Sequence, residues 1–125
     1  MKITKLILIA LITIVLGACA GSDTYRGEWK ATNEQGEHLD ITFDEKEFSI
    51  TENGETETFG YSQNQVNISN SVETYGIKLS DGRSFKIHFP IADDESKGAI
   101  LDANDRPVFI ISRKDYIGYE DVYGL

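Results

Sequence analysis

Cysteine occurs once in the 125 residues, at Cys19. A single thiol excludes an intramolecular disulfide, thiol redox chemistry and cysteine-built zinc sites together. Histidine is nearly as scarce: His38 and His88 are the only two, too few for a catalytic zinc or copper centre of the usual donor set. Positive charge is also short, with 12 Lys and Arg against 21 Asp and Glu and a net charge of -9. Such a chain repels phosphate backbones, which argues against a nucleic-acid partner. No nucleophile elbow, phosphate loop, HExxH or dinucleotide fingerprint occurs, so neither an enzyme nor a cofactor is expected. The longest apolar run, Leu6 to Leu16, has 11 residues, short of the roughly 20 that span a bilayer.

What is present at the start is an export pattern. Lys2 and Lys5 precede the apolar run, and the small residues Gly17 and Ala18 follow it, the three parts of a secretory signal. Leu16-Gly17-Ala18-Cys19 resembles the lipobox of bacterial lipoproteins. That resemblance implies a diacylglyceryl group on the Cys19 thiol and cleavage between Ala18 and Cys19. Residues 1–18 are then a signal peptide, 19–24 a lipidated tether and 25–125 the folded domain. The lipid on Cys19 places the domain at the cell membrane, on its extracytoplasmic face. Two acyl chains suffice for stable attachment where one does not. The six tether residues reach roughly 20 Å at most.

From Tyr25 onward the apolar residues recur with a period of two. Leu39, Ile41 and Phe43 alternate with Asp40, Thr42 and Asp44, and Phe85, Ile87 and Phe89 with Ser84, Lys86 and His88. Turn residues interrupt the pattern at short intervals, among them Asn53-Gly54 and Asp81-Gly82, which read as hairpins. Nine candidate strands result, near 25–32, 38–44, 47–52, 56–61, 65–69, 74–80, 84–89, 98–102 and 107–113. The expectation is an all-β fold: an antiparallel meander of eight to nine strands that removes its edges by closing into a small barrel. A sandwich stays open as the alternative.

Gly27-Glu28-Trp29 on the first strand is similar to the Gly-x-Trp signature that opens the lipocalins and related calycins. The resemblance implies that Trp29 packs across the base of the barrel. The chain is shorter than a typical lipocalin and shows no second lipocalin motif. As a whole it resembles small lipocalin-like lipoproteins of Gram-positive bacteria.

The tail departs from the two-residue period: Tyr116, Tyr119 and Tyr123 recur at helix-like spacing. It reads either as a helical turn capping one barrel end or as an aromatic surface for partner contacts. Both histidines fall at the polar phase of strands and are expected to face solvent. Asp102-Ala103-Asn104-Asp105 begins like a calcium loop, but Pro107 and Arg113 stand where an EF-hand needs Gly and Glu, so a hairpin turn is expected and no metal. Asp93-Asp94-Glu95 reads as a solvated loop, or else as a docking site for a basic partner.

Two functional readings follow. One is a membrane-anchored binding module for a small ligand or surface partner; the other is an interaction or inhibitor lipoprotein working through loops and the Tyr-rich tail. A roomy, polar interior favours a small ligand, and a packed interior beside an exposed aromatic patch favours a protein partner.

Overall fold

The computed structural model describes residues 23–124; the signal segment, Cys19 and its lipobox lie outside them. Eight antiparallel strands follow one another as a meander and close into a barrel. They are β1 (Gly27–Asn33), β2 (His38–Phe43), β3 (Glu47–Glu52), β4 (Glu55–Ser69), β5 (Val72–Leu79), β6 (Ser84–Phe89), β7 (Lys97–Leu101) and β8 (Pro107–Ser112). A short helix, α1 (Tyr119–Tyr123), follows. Closure comes from β1 pairing with β8, Lys30 opposite Ser112 through Asn33 opposite Phe109.

The two-residue period does what the sequence pattern predicts. Trp29 and Ala31, then Leu39, Ile41 and Phe43, point inward and meet Phe48, Tyr61, Tyr75, Ile77, Leu79, Ile87, Phe89, Ile100 and Ile111 in one core. Asn53 and Gly54 both have positive φ, 54° and 80°, the pair a type I′ turn requires. The turn between β4 and β5 uses Asn70 and Ser71, also both at positive φ, with no glycine to announce it. The two strands expected at 56–61 and 65–69 are one strand. No turn separates them; a bulge between Gln63 and Gln65 absorbs the slip in register, and the count among the described residues is eight rather than nine.

Gly98 on β7 has no room for a side chain. A Cβ there would lie 2.4 Å from the His88 carbonyl oxygen, so β6 and β7 approach closely at this point.

The tail does not cap a barrel end. Helix α1 lies on the outer wall, where Val122 packs with Ala99, Leu101 and Ile110 from the outward faces of β7 and β8. Gly118 N–H donates to Asp121 Oδ2 at 2.9 Å and fixes the start of the helix. Burial of Val122 explains the choice of wall over rim, because β7 and β8 present apolar residues on both faces.

Trp29 is 1% exposed, and its Nε1–H donates to the Tyr25 carbonyl at 2.8 Å. Trp29→Ala should cost about 3–5 kcal/mol in urea unfolding; an unchanged midpoint would contradict this packing.

Candidate functional site

The barrel interior is filled. Trp29, Phe43, Phe89, Ile41, Ile77, Ile87 and Ile111 are each less than 2% exposed, and rings meet through the lumen, Trp29 tilted against Phe89 at 5.9 Å and Tyr75 edge-to-face with Phe89 at 6.3 Å. Where β1 starts, Tyr25 folds over the end of the core and meets Phe43, Tyr61 and Tyr75. Its hydroxyl donates to Gln63 Oε1 at 2.7 Å. Burial raises the Tyr61 pKa, with the Tyr25 hydroxyl beside it adding to the shift; the Tyr61 hydroxyl donates to the Asp44 carbonyl.

Arg113, directly after β8, seals this end from outside. Its guanidinium carbon sits 3.7 Å above the Trp29 ring. Nη2 donates to the carbonyls of Thr24 and Arg26 at 3.0 and 2.8 Å, and Nη1 to that of Glu28 at 3.0 Å. Gly27 sits beneath it at φ 98°, where a Cβ would come within 3.2 Å of Nη1. The triplet Gly27-Glu28-Trp29 is thus a seat for a guanidinium: glycine gives clearance and the indole gives a face for cation–π contact. Partial burial lowers the Arg113 pKa from its ordinary value, and a guanidinium stays charged under any physiological condition.

Open space lies on the outer wall and at the far mouth of the barrel. A groove of about 330 Å³ runs along β1 and β8 beneath the tail and is lined by Thr32, Val108, Phe109, Ile110, Gly118 and Tyr119. Thr32 and Ile110 are register partners across the closing pair of strands, so their outward side chains form the floor. The Thr32 hydroxyl is buried and has no hydrogen-bond partner among the described residues. Tyr119, 56% exposed, forms one side and stacks on Tyr123 at 4.9 Å. The groove can hold an apolar group, with Asn33 and Glu34 also in its lining. A second depression of about 280 Å³ lies at the far end of the barrel among Leu39, Ile50, Glu52 and Phe109.

The three tail tyrosines do not act as one surface. Tyr116 lies on the β1–β2 wall, stacked flat on His38 at 4.3 Å. Its hydroxyl donates to Asp40 Oδ1 at 2.6 Å, and the Lys30 ammonium lies 4.9 Å from its ring centre. The Asp40 carboxylate beside it raises the Tyr116 pKa. Tyr123 is half-buried beside Val122, and burial raises its pKa. Tyr119 alone is broadly exposed. The sequence reading missed Thr32 and Arg113. Nothing local distinguishes either, since each is defined by a partner on the opposite end of the chain.

His38 is exposed on the outer wall, but His88 is half-buried on it, with Nδ1 2.8 Å from the Thr74 hydroxyl. Asp102 accepts hydrogen bonds from the backbone N–H groups of Asn104 and Arg106, an Asx-type hairpin turn. No group of three or more metal-ligating side chains occurs among the described residues. No helix among them is long and apolar enough to cross a membrane. No family model matches the chain, and no curated protein or solved structure matches it.

Burial lowers the His88 pKa below its ordinary 6.5, outweighing the upward pull of Asp105. The folded state therefore favours neutral imidazole. Stability from this site is complete above about pH 6.5 and declines as pH falls from there through the lowered value. Urea titrations at about pH 7.5 and about pH 5.5 should show His88→Gln losing less stability on acidification than the parent; equal losses would dismiss the contribution.

Proposed function

We propose that the chain is a bacterial lipoprotein, held at the extracytoplasmic face of the cell membrane by a lipid on Cys19, and that its barrel is a non-enzymatic interaction module working from its outer surface. The observation that carries the reading is the filled middle of the lumen, where seven large or branched side chains are below 2% exposed; a carried ligand needs a pocket of about 300–1,000 Å³, against about 280 Å³ at the far mouth. The groove under Tyr119, lined mainly by apolar side chains together with Asn33 and Glu34, supports contact at the tail. A tyrosine that is exposed and braced by a stacked neighbour loses little entropy when a partner covers it. The lipobox-like run Leu16 to Cys19 supports the anchor. A short tether keeps the barrel beside the bilayer, so its partners are other residents of the same surface.

The anchor predicts that cells fed labelled palmitate will label the parent chain and not Cys19→Ser, which should appear in the medium or in the aqueous phase on detergent partition. Equal labelling, or a variant that stays in the detergent phase, would reject it. The filled lumen predicts that a fluorescent fatty-acid analogue shows no saturable one-to-one uptake. Saturable uptake displaced by unlabelled fatty acid would return the protein to the carrier class.

A further inference from the structure

Closure leaves short unpaired stretches at several strand ends, Gly27 to Trp29 on the β8 side of β1 among them, and among the described residues the longest runs along β4. That strand pairs with β3 only as far as Gly60 opposite Glu47, with Tyr61 N–H still donating to the Lys46 carbonyl. It then continues to Ser69 paired with β5. From Gln65 to Ser69 no strand of the described residues lies on its other side. Leu79 N–H donates to Arg83 on the β6 side, so by the alternation of an antiparallel ladder Tyr75 and Glu73 also turn their backbone groups toward β6. Their register partners Val66 and Ile68 accordingly turn N–H and C=O outward, along the open edge. The same two residues are the most exposed large aliphatic side chains among the described residues, at 50% and 61%.

Edges of this kind are ordinarily blunted with lysine, proline or an inward-pointing charge. Here the reverse holds. Thr58 to Val72 contains no charged residue and no proline, in a chain that is otherwise densely charged. Both ends of the edge are acidic. Asp44, Glu45 and Glu47 flank Lys46 beside Tyr61. At the other end Glu73 lies opposite Ile68, the Glu95 pKa is raised by a hydrogen bond with Glu73, and Asp93 N–H donates to the Ser71 carbonyl.

We propose that the open edge of β4 around Val66 and Ile68 takes an extended segment of a partner polypeptide as an added strand, and that this segment has an uncharged, alternately apolar centre flanked by lysine or arginine. An extended chain is the one shape that meets a strand's backbone groups along its length, and side chains at alternate positions then give the selectivity. Val66 and Ile68 set the apolar centre, and the acidic ends set the basic flanks. A second copy fits poorly: two-fold antiparallel pairing of β4 on itself brings the acidic end of each copy to the opposite acidic end of the other. The inference deepens the outer-surface reading by naming a partner class, and it does not depend on the lipid anchor.

The test uses the whole chain in detergent micelles and a fluorescent nine-residue peptide, KKTVTVTKK, read by anisotropy at low salt. Saturable binding is expected. It should weaken by about tenfold or more when the flanking lysines become glutamates. Methylating alternate backbone nitrogens of the peptide should abolish it. Ile68→Pro removes an outward N–H that the β4–β5 ladder does not use, a place where an edge strand tolerates proline, and should weaken binding by about tenfold or more. Should that variant not fold, Ile68→Lys, judged folded by circular dichroism, should lose the lysine-flanked peptide. Equal binding by the methylated peptide, unaltered binding by a folded variant, or no saturable binding would overturn the proposal. So would a concentration-dependent dimer abolished by Ile68→Lys, which would give the edge to a second copy. Loss of palmitate labelling would leave this result untouched, so failures of the two readings are separable.

Discussion

One guanidinium holds the seam of this barrel. β8 pairs with β1 only from Lys30 to Asn33, which leaves Gly27 to Trp29 and the approach to them without a ladder on that side. Arg113 takes the place of the missing strand, donating to the carbonyls of Thr24, Arg26 and Glu28 while its plane covers Trp29. These are charge-assisted bonds from a rigid fork to fixed acceptors, stronger than neutral ones and costing little side-chain entropy once the fork is seated. A lysine offers neither the fork nor the flat face. Without this clamp the first half of β1 would pair with β2 alone, and Tyr25, which depends on Trp29 for its position, would no longer close the end of the core.

Closure in turn decides where the protein can act. An eight-stranded barrel encloses a lumen just wide enough to be filled by side chains or to hold one small ligand. Trp29, the phenylalanines and Tyr75 occupy that space here. On the proposed reading, recognition is left to what decorates the outside: the tail that packs on β7 and β8, the groove it makes with Thr32 and Ile110, and the strand that outruns its neighbour. The tail contributes because Ala99, Leu101 and Ile110 give the wall a second apolar face, which one short helix covers through Val122.

The elements that were legible in the sequence are those whose cause is local. Alternation in β2 and β6 marks inward residues directly, and Asn53-Gly54 carries its turn in its own backbone preference. Asn70-Ser71 adopts the same left-handed pair without glycine. The strands it joins impose that geometry. β4 reads as two strands for another reason: the bulge between Gln63 and Gln65 breaks its alternation. Trp29 could be singled out as a core residue, but the reason for the glycine two positions before it could not. That reason is an arginine more than 80 residues away in sequence. The tail was legible as helical and aromatic. Its resting place was not, because the apolar outer faces of β7 and β8 look, in a one-dimensional pattern, like strands buried on both sides for some other cause.

A neutral, partly apolar edge on a protein of net charge -9 looks at first like a hazard for aggregation. The distribution of charge answers it. Repulsion between copies acts over about a Debye length, roughly 8–10 Å at physiological salt, and the acidic groups nearest the edge stand at its two ends. Two-fold pairing would superpose those ends, so the acidic charge of the body works against self-pairing at this one place. A segment carrying the opposite charge meets no such barrier and gains from the same field. What appears as an unguarded strand is therefore guarded selectively, by position rather than by a lysine in the strand itself, and the discrimination is between like and unlike partners.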